Sequence, residues 1–549
     1  MAMCTASATA AHITRRSLVT LPFAHAALGR AASSRPNLIV ILVDDMGFSD
    51  LACYGSEIPT PNIDKLAAAG LRFTQFYNTA RCSPSRAALL TGLYPHHAGM
   101  GHLDPYVRQD SQGYTGRLSE RCLTFGEVLG DSGYATSMTG KWHLGLQNGT
   151  PPWQRGFARS LCSPFGELYF PGQTSPRINN ARLQLFHNGK EIPTDSGEVG
   201  NNWYSPDLWT AYALRYIDQA IAEKKPFFHY LAHNAPHFPL MAPPEDINRF
   251  RGKYKAGWDQ LRRERHARQK EMGLLKPEWA LSERPPDSPV WESLTEEQKD
   301  RFDHLMALYA AIISRVDKSV GDLVAGLHKR GVLDNTLILF MSDNGGNAES
   351  GPDGRIVGGP VGAASSFIHL GMNWATLNNT PFRRYKHFTH EGGVATPLIA
   401  HWPQGIPTSQ RGRFIHQPAH LVDVMPTVLS VTSAKYPTRR QGHPIDPLDG
   451  YSFAPAFQGK SWIRREPIYY FHEGNRGVRD GKWKLVMKYL GEWELYDMDA
   501  DRTELHNLAP GEPERTKRMA AQWDAWATRT HGDPWEGPIR NDWGEEGKQ

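Results

Sequence analysis

Apolar residues in this chain come in short unbroken runs, separated by stretches with helical spacing. The run 38–43 (LIVILV) has no polar interruption and closes on Asp44-Asp45. An apolar run without alternation predicts a strand buried on both faces, as in a parallel sheet. Thr60-Pro61-Asn62 then supply a cap and a proline start for a helix ending near Gly70. Residues 71–77 read as a strand, and after a loop at 78–83 Pro84 opens a second helix through Thr91. The same pattern predicts helices over 123–132, 206–223 and 296–329, and strands over 134–139, 227–233 and 335–341. Strands alternating with helices predict an α/β fold: a large, mostly parallel mixed sheet flanked by helices.

The tail changes character. Residues 468–471, 482–487 and 493–496 are short alternating strands with turn residues between them. A last helix over about 513–528 places Met519, Trp523 and Trp526 on one face. This predicts a smaller C-terminal α+β domain with a short antiparallel sheet, joined through the Gly- and Pro-bearing stretch 438–447. The expected organisation is a leader at 1–35, a large domain at 36–440 and a small one at 441–549.

Composition narrows the class. With 549 residues and a 40% hydrophobic share, extended disorder is excluded. The net charge of +4 is too dilute for a nucleic-acid footprint. Residues 249–273 carry nine Lys/Arg against three Asp/Glu. They read as a solvated helical insertion, not a nucleic-acid arm. Five cysteines, Cys4, Cys53, Cys82, Cys122 and Cys162, are too few and too scattered for a disulfide scaffold or zinc ribbon, and the odd count leaves room for a reactive or modified one. No transmembrane segment is expected: the uncharged stretch 356–382 is broken by Gly358, Gly359, Pro360, Gly371 and Asn373 and reads as a loop. Thr14-Arg15-Arg16-Ser17-Leu18-Val19, ahead of an apolar stretch and Ala31-Ala32-Ser33, resembles a twin-arginine export signal. A working leader implies a periplasmic or secreted protein, and a silent one a cytoplasmic protein.

Ligands of a parallel sheet bind beyond the carboxyl ends of its strands. Two of the expected strands end there in polar pairs, Asp44-Asp45 and Asp343-Asn344. Converging carboxylates repel unless a cation lies between them, and an all-oxygen set selects Ca²⁺ or Mg²⁺. Cys82 falls just before a helix N-terminus, where backbone N–H groups favour an anion. Taken alone it is either a low-pKa nucleophile or a buried core thiol.

The stretch Cys82-Ser83-Pro84-Ser85-Arg86, followed by Leu90-Thr91-Gly92, resembles the formylglycine-dependent sulfatases, in which this cysteine is enzymatically oxidised to an aldehyde. Gly133-Tyr134 through Gly140-Lys141-Trp142-His143 is similar to that family's second signature. The resemblance extends over nearly the whole chain from Pro36 and is strongest toward bacterial arylsulfatases of the alkaline-phosphatase superfamily. It implies a small sulfate ester as substrate and a formylglycine-generating enzyme as maturation partner. Asp44, Asp45, Asp343 and Asn344 are then the metal ligands, usually of Ca²⁺. Cys82, as the hydrated aldehyde, attacks sulfur and carries a covalent sulfate. Arg86 holds the hydrate, and Asp343 helps take its proton. Lys141 and Lys386 clamp the sulfonate oxygens. His237 is the general acid on the leaving oxygen. His143 deprotonates the second hydroxyl, so that the aldehyde reforms and sulfate leaves.

Each assignment has a plainer counterpart. His143 and His237 could be satisfied structural histidines, and His233 reads as one. Arg383 and Arg384 compete with Lys386 for the inward position and read as solvated. Trp374, His96, His97 and His102 border the region without an assigned role. Two further activities remain open at this stage: a phosphonate or phosphate ester hydrolase with the same constellation, and a binding protein that captures sulfated ligands without turnover.

Overall fold

The run LIVILV forms the centre of β1, Asn37–Val43, in a computed structural model that describes residues 35–542 except 105 and 147–148. Alternate β1 side chains enter different cores: Ile39, Ile41 and Val43 one, Leu38, Val40 and Leu42 the other. Burial on both faces explains why no polar residue interrupts the run.

The remaining strands of the main sheet are β2 (Leu71–Tyr77), β3 (Ala135–Lys141), β4 (Arg159–Ser163), β5 (Leu185–His187), β6 (Lys190–Ile192), β7 (Phe227–Ala232), β8 (Thr336–Ser342), β9 (Ala395–His401), β10 (Phe414–Ile415) and β11 (Ala419–His420). Their order is β10-β2-β9-β8-β1-β7-β3-β4-β5-β6, with β11 also paired to β2. The five central strands, β8-β1-β7-β3-β4, are mutually parallel. Antiparallel pairs extend the sheet on both sides. All five parallel strands therefore present their carboxyl ends along one edge.

Helices cover both faces. On one side lie α1 (Pro61–Ala68), α4 (Ser205–Ala222) and α6 (Glu296–Lys329), whose start is fixed by a Thr295/Gln298 capping box. On the other lie α2 (Cys82–Thr91) and α3 (Phe125–Asp131). A four-stranded antiparallel sheet of β12 (Ile468–His472), β13 (Asn475–Asp480), β14 (Trp483–Met487) and β15 (Glu494–Asp497) follows, in sequential order. Helix α8 (Pro513–Arg529) packs on it through Met519, Trp523 and Trp526. The architecture is the α/β class with a small antiparallel sheet that the residue pattern implies.

Three local expectations need correction. Helix α2 begins at Cys82, not Pro84. Proline is tolerated inside a first turn because the N–H it lacks has no intrahelical acceptor there. The stretch 356–382 is not one loop: it contains the hairpin Arg355–Gly358/Ser366–His369 and the helix α7, Met372–Asn378. That seven-residue helix has no side-chain cap and is buried throughout, so tertiary packing holds it rather than local signals. The basic stretch 249–273 does form helix α5 (Gly257–Glu271), but it is not merely solvated. Arg265 is fully buried, donating to Asp50 at 3.0 Å and to Glu57 at 2.8 Å.

The leader motif and Cys4 lie outside the described residues. Among the described residues, no helix is long and apolar enough to cross a membrane.

Candidate active site

The carboxyl edge of the parallel strands gathers residues that are far apart in the chain. Asp44 and Asp45 follow β1, Lys141 ends β3, His143 lies two residues on, and Asp343-Asn344 follow β8. His237 follows β7 by five residues, and Lys386 comes from the segment between α7 and β9. Cys82, the first residue of α2, is 2% exposed. Asp44, Asp45, Cys82 and His237 each place one potential ligand atom within 4.8 Å of the others.

Charge pairing ties the rest to this group. Lys141 Nζ donates to Asp44 Oδ2 at 2.6 Å, and Arg86 Nη2 lies 3.5 Å from the same oxygen. Arg86 also donates to Asp343 Oδ2 at 2.9 Å and to the Lys141 carbonyl at 3.1 Å. Lys386 Nζ lies 2.8 and 2.9 Å from the two Asp45 oxygens. Asn344 Nδ2 donates to Asp45 Oδ1 at 2.7 Å, and the Asp45 N–H donates to Asp343 Oδ1 at 3.2 Å. The structure thus brings all ten expected site residues to one edge. His143, two residues past Lys141, has its ring edge-on to Phe165 at 5.8 Å.

Burial shapes the electrostatics. It would raise the Asp44 carboxyl, but Lys141, His237 and Arg86 overcome that and hold it near 2. Asp343 is pushed up to about 7 by burial and by the neighbouring Asp44 charge, against the pull of Arg86. Both histidines are lowered well below the usual range. For His143 the cause is burial with Lys141 and Arg86; for His237 it is burial with Lys141 and Lys386, opposed by Asp44. The Cys82 thiol is raised to about 11, because burial outweighs Lys141 and Lys386. An unmodified thiol here is therefore a poor nucleophile at neutral pH.

Asp45 (φ 65°) and His143 (φ 56°) both hold left-handed backbone conformations. Each costs about 1 kcal/mol and persists only where surrounding contacts impose it.

Several atoms here are buried without a hydrogen-bond partner: Asp44 Oδ1, Asn344 Oδ1, Arg86 Nε and His143 Nδ1. Two orphaned oxygens beside paired carboxylates fit a hard cation, which oxygen donors select. Asp343 is less free, since its carboxylate already serves Arg86 and the Asp45 amide.

The other candidates separate clearly. His233 Nε2 lies 3.3 Å from Ser319 Oγ, away from the charged group. Arg383 turns to Glu494 and Tyr496, and Arg384 to Asp542. Lys386 is therefore the inward cation of that segment. Trp374 is core, donating to the Phe302 carbonyl at 3.0 Å. His96 stacks on Phe471 at 4.7 Å, and His97 pairs with Asp449 at 3.0 Å.

A surrounding layer escaped the sequence reading. Glu349 Oε1 accepts from Arg81 at 3.0 Å and lies 3.0 Å from His387 Nε2. His387 Nδ1 lies 3.0 Å from Glu473, which also meets His102 at 2.8 Å and Arg540 at 2.9 Å. Arg81 and His387 are the chain neighbours of Cys82 and Lys386, so this chain of charges fixes two active-site segments against the β12–β13 turn. The backbone also comes close to the site at Gly166. A Cβ there would lie 2.9 Å from Lys141 Nζ, 3.0 Å from Asp44 Oδ2 and 3.1 Å from His237 Nδ1. Adjacency in sequence was an available signal for Arg81 and His387; Glu473 and Gly166 had none.

Comparison with known proteins agrees with this arrangement. The sulfatase family profile matches residues 36–434, and that of the N-sulphoglucosamine sulphohydrolase C-terminal region matches residues 383–525. The chain is 34% identical over 535 residues to an uncharacterized sulfatase of Schizosaccharomyces pombe, covering 91% of this chain and 95% of that one. It is 33% identical over 456 residues to the arylsulfatase of Klebsiella aerogenes, covering 80% and 95%. The crystal structure of Ps i-CgsB superposes with a TM-score of 0.67 at 29% identity, over 90% of this chain and 93% of that one. By the extent of these matches, the chain belongs to the sulfatase family and is a sulfuric ester hydrolase.

Proposed function

We propose that the protein hydrolyses small sulfate esters with Cys82, converted to formylglycine, as its nucleophile and with a divalent cation, Ca²⁺ by preference, in the acidic cluster. The observation that carries this is the meeting of Cys82 with Asp44, Asp45 and His237 within 4.8 Å, at the carboxyl edge of the parallel strands. Asp44, Asp45 and Asn344 would hold the cation, with Asp343 completing the set. Bound there, it would act as a Lewis acid toward oxygens of the ester and of the nucleophile. Formylglycine hydrate would supply a geminal diol, with one hydroxyl to attack sulfur and the other to expel sulfate as the aldehyde returns.

The chain's own residues do the rest. Lys141 and Lys386, fully buried ammonium groups held on Asp44 and Asp45, would match the charge of arriving sulfonate oxygens. Arg86, buried and anchored on Asp343 and the Lys141 carbonyl, would hold the hydrate at position 82 by charge-assisted hydrogen bonds. His237 Nδ1 lies 2.5 Å from the Phe238 carbonyl, an N–H donor contact that turns Nε2 toward Asp45 at 3.7 Å. An incoming sulfate adds negative charge against that edge and favours the protonated ring, the form a general acid needs. His143 Nδ1, buried without a partner, is free to accept a proton from the second hydroxyl of position 82.

Turnover on one preparation tests the reading. 4-Nitrophenyl sulfate is expected to exceed 4-nitrophenyl phosphate and phenyl phosphonate in kcat/KM. A wide margin in favour of either phosphorus ester would instead assign the site to phosphoryl chemistry. Binding of the sulfate ester without hydrolysis by matured protein would assign it to ligand capture.

A further inference from the structure

Beyond α8, residues 531–542 run back to the segment that carries Lys386. The stretch is tied down on the way. The Pro534 carbonyl accepts from Arg108 at 2.7 Å, and the buried Trp535 ring stacks on His102 with centroids 5.0 Å apart. It carries two charged side chains that reach toward the site, Arg540 and Asp542.

These two act on opposite flanks of Lys386. Arg384, two residues before it, donates to Asp542 at 3.2 Å. His387, one residue after it, meets Glu473 at 3.0 Å. Arg540 grips that carboxylate at both oxygens, Nε to Oε2 at 3.1 Å and Nη2 to Oε1 at 2.9 Å. Glu473 is buried, and among the described residues Arg540 is the one permanently charged group in contact with it; the others are histidines. Arg384 (φ 64°) and His387 (φ 82°) both hold left-handed backbone conformations, which cost free energy and persist only where surrounding contacts impose them. The loop bearing the Lys386 ammonium is thus strained on both sides. Residues 531–542 supply a charge partner to one flank directly and to the other through Glu473.

We infer that Arg540 and Asp542 are positioning residues for ester hydrolysis: they hold the strained loop so that Lys386 stays on Asp45, where it can clamp a sulfonate oxygen. The inference rests on the sulfatase reading above. Removing Arg540 leaves the Glu473 carboxylate buried without its permanent countercharge, and an uncompensated buried charge costs far more than the made pair returns. The nearest relief is a turn of Glu473 and His387 together, with relaxation of the His387 backbone. That movement carries the neighbouring ammonium off Asp45. A sulfonate then meets its cation out of place in the bound ester and in the transition state alike, so the loss falls on KM as well as on kcat. A smaller folded fraction would lower kcat alone.

The test uses matured full-length protein with Ca²⁺ in excess and 4-nitrophenyl sulfate as substrate. Rates are expressed per aldehyde at position 82, and thermal unfolding is read on the same samples. Arg540→Gln is expected to lower kcat/KM by about tenfold, with KM raised at least about threefold. Arg540→Lys keeps the charge but not the two-pronged grip, and is expected to recover part of the loss. Asp542→Asn removes a half-exposed charge and is expected to raise KM by about twofold to threefold. It decides the matter should Arg540→Gln fail to fold. An unchanged KM in one folded variant would remove that residue from the role, and an unchanged KM in every folded variant would overturn the proposal, whether or not kcat falls. An active parent with unmoved variants leaves the sulfatase reading standing, whereas a parent inactive on the ester overturns both.

Discussion

Cys82→Ala is expected to lower kcat/KM for 4-nitrophenyl sulfate by at least about 10⁴-fold, because it removes the atom through which the covalent step proceeds. The fold is expected to survive. Cys82 occupies the first position of α2, is 2% exposed, and its replacement by alanine removes only a sulfur. Alanine is also the best helix former. The cavity left by one atom costs about 1 kcal/mol, a shift of only a few degrees in Tm for a chain of this size. Kinetics and thermal unfolding on the same samples check both parts. Activity within tenfold of the parent would remove Cys82 from the mechanism, whereas loss of activity together with folding would make it a core residue.

Asp45→Asn is expected to weaken Ca²⁺ binding by at least ten- to a hundredfold, read by titration calorimetry on metal-stripped protein. Asp45 is the point where the cluster converges. Its carboxylate meets Lys386 at 2.8 Å, Asn344 at 2.7 Å and Asn347 at 3.0 Å, and its backbone N–H meets Asp343 at 3.2 Å. The amide keeps the shape and one acceptor oxygen but removes the charge a divalent ion requires. The stabilisation that Ca²⁺ gives the parent in a melting experiment should shrink as well, since a ligand of the folded state stabilises by an amount that grows with the logarithm of its concentration over Kd. An unchanged dissociation constant would exclude Asp45 from the ligand set. Neither readout depends on turnover, so the metal assignment is tested apart from the chemistry.

Sequence patterns revealed the parts of this molecule whose causes are local. β1, α6 and β8 follow from unbroken apolar runs, helical spacing and a capping box, and their observed bounds differ little from the expected ones. β9 was not legible. Pro397 interrupts its ladder, and the register against β2 shifts between Thr396 and Leu398, so the strand carries an anti-strand signal that only sheet pairing overrides. The small sheet shows the same division. Three of its strands stand out by alternation, while β13 (NRGVRD) is too polar to be read alone and depends on its neighbours. In the site, residues within contiguous motifs, such as Cys82, Arg86, Lys141 and His143, were found through those motifs. Glu349 and Glu473 were not, because their significance arises from partners 268 and 86 residues away. Arg265 was misjudged for a related reason: a basic helix looks solvated until Asp50 and Glu57 fold against it.

Mass spectrometry of the peptide spanning Cys82, taken from a preparation shown to be active, tests the central claim most directly. The account predicts that the peptide from active molecules carries an aldehyde at position 82, with oxygen in place of sulfur and two hydrogens fewer, and that the aldehyde fraction tracks specific activity across preparations. Full activity in protein whose residue 82 is quantitatively an intact thiol would contradict it.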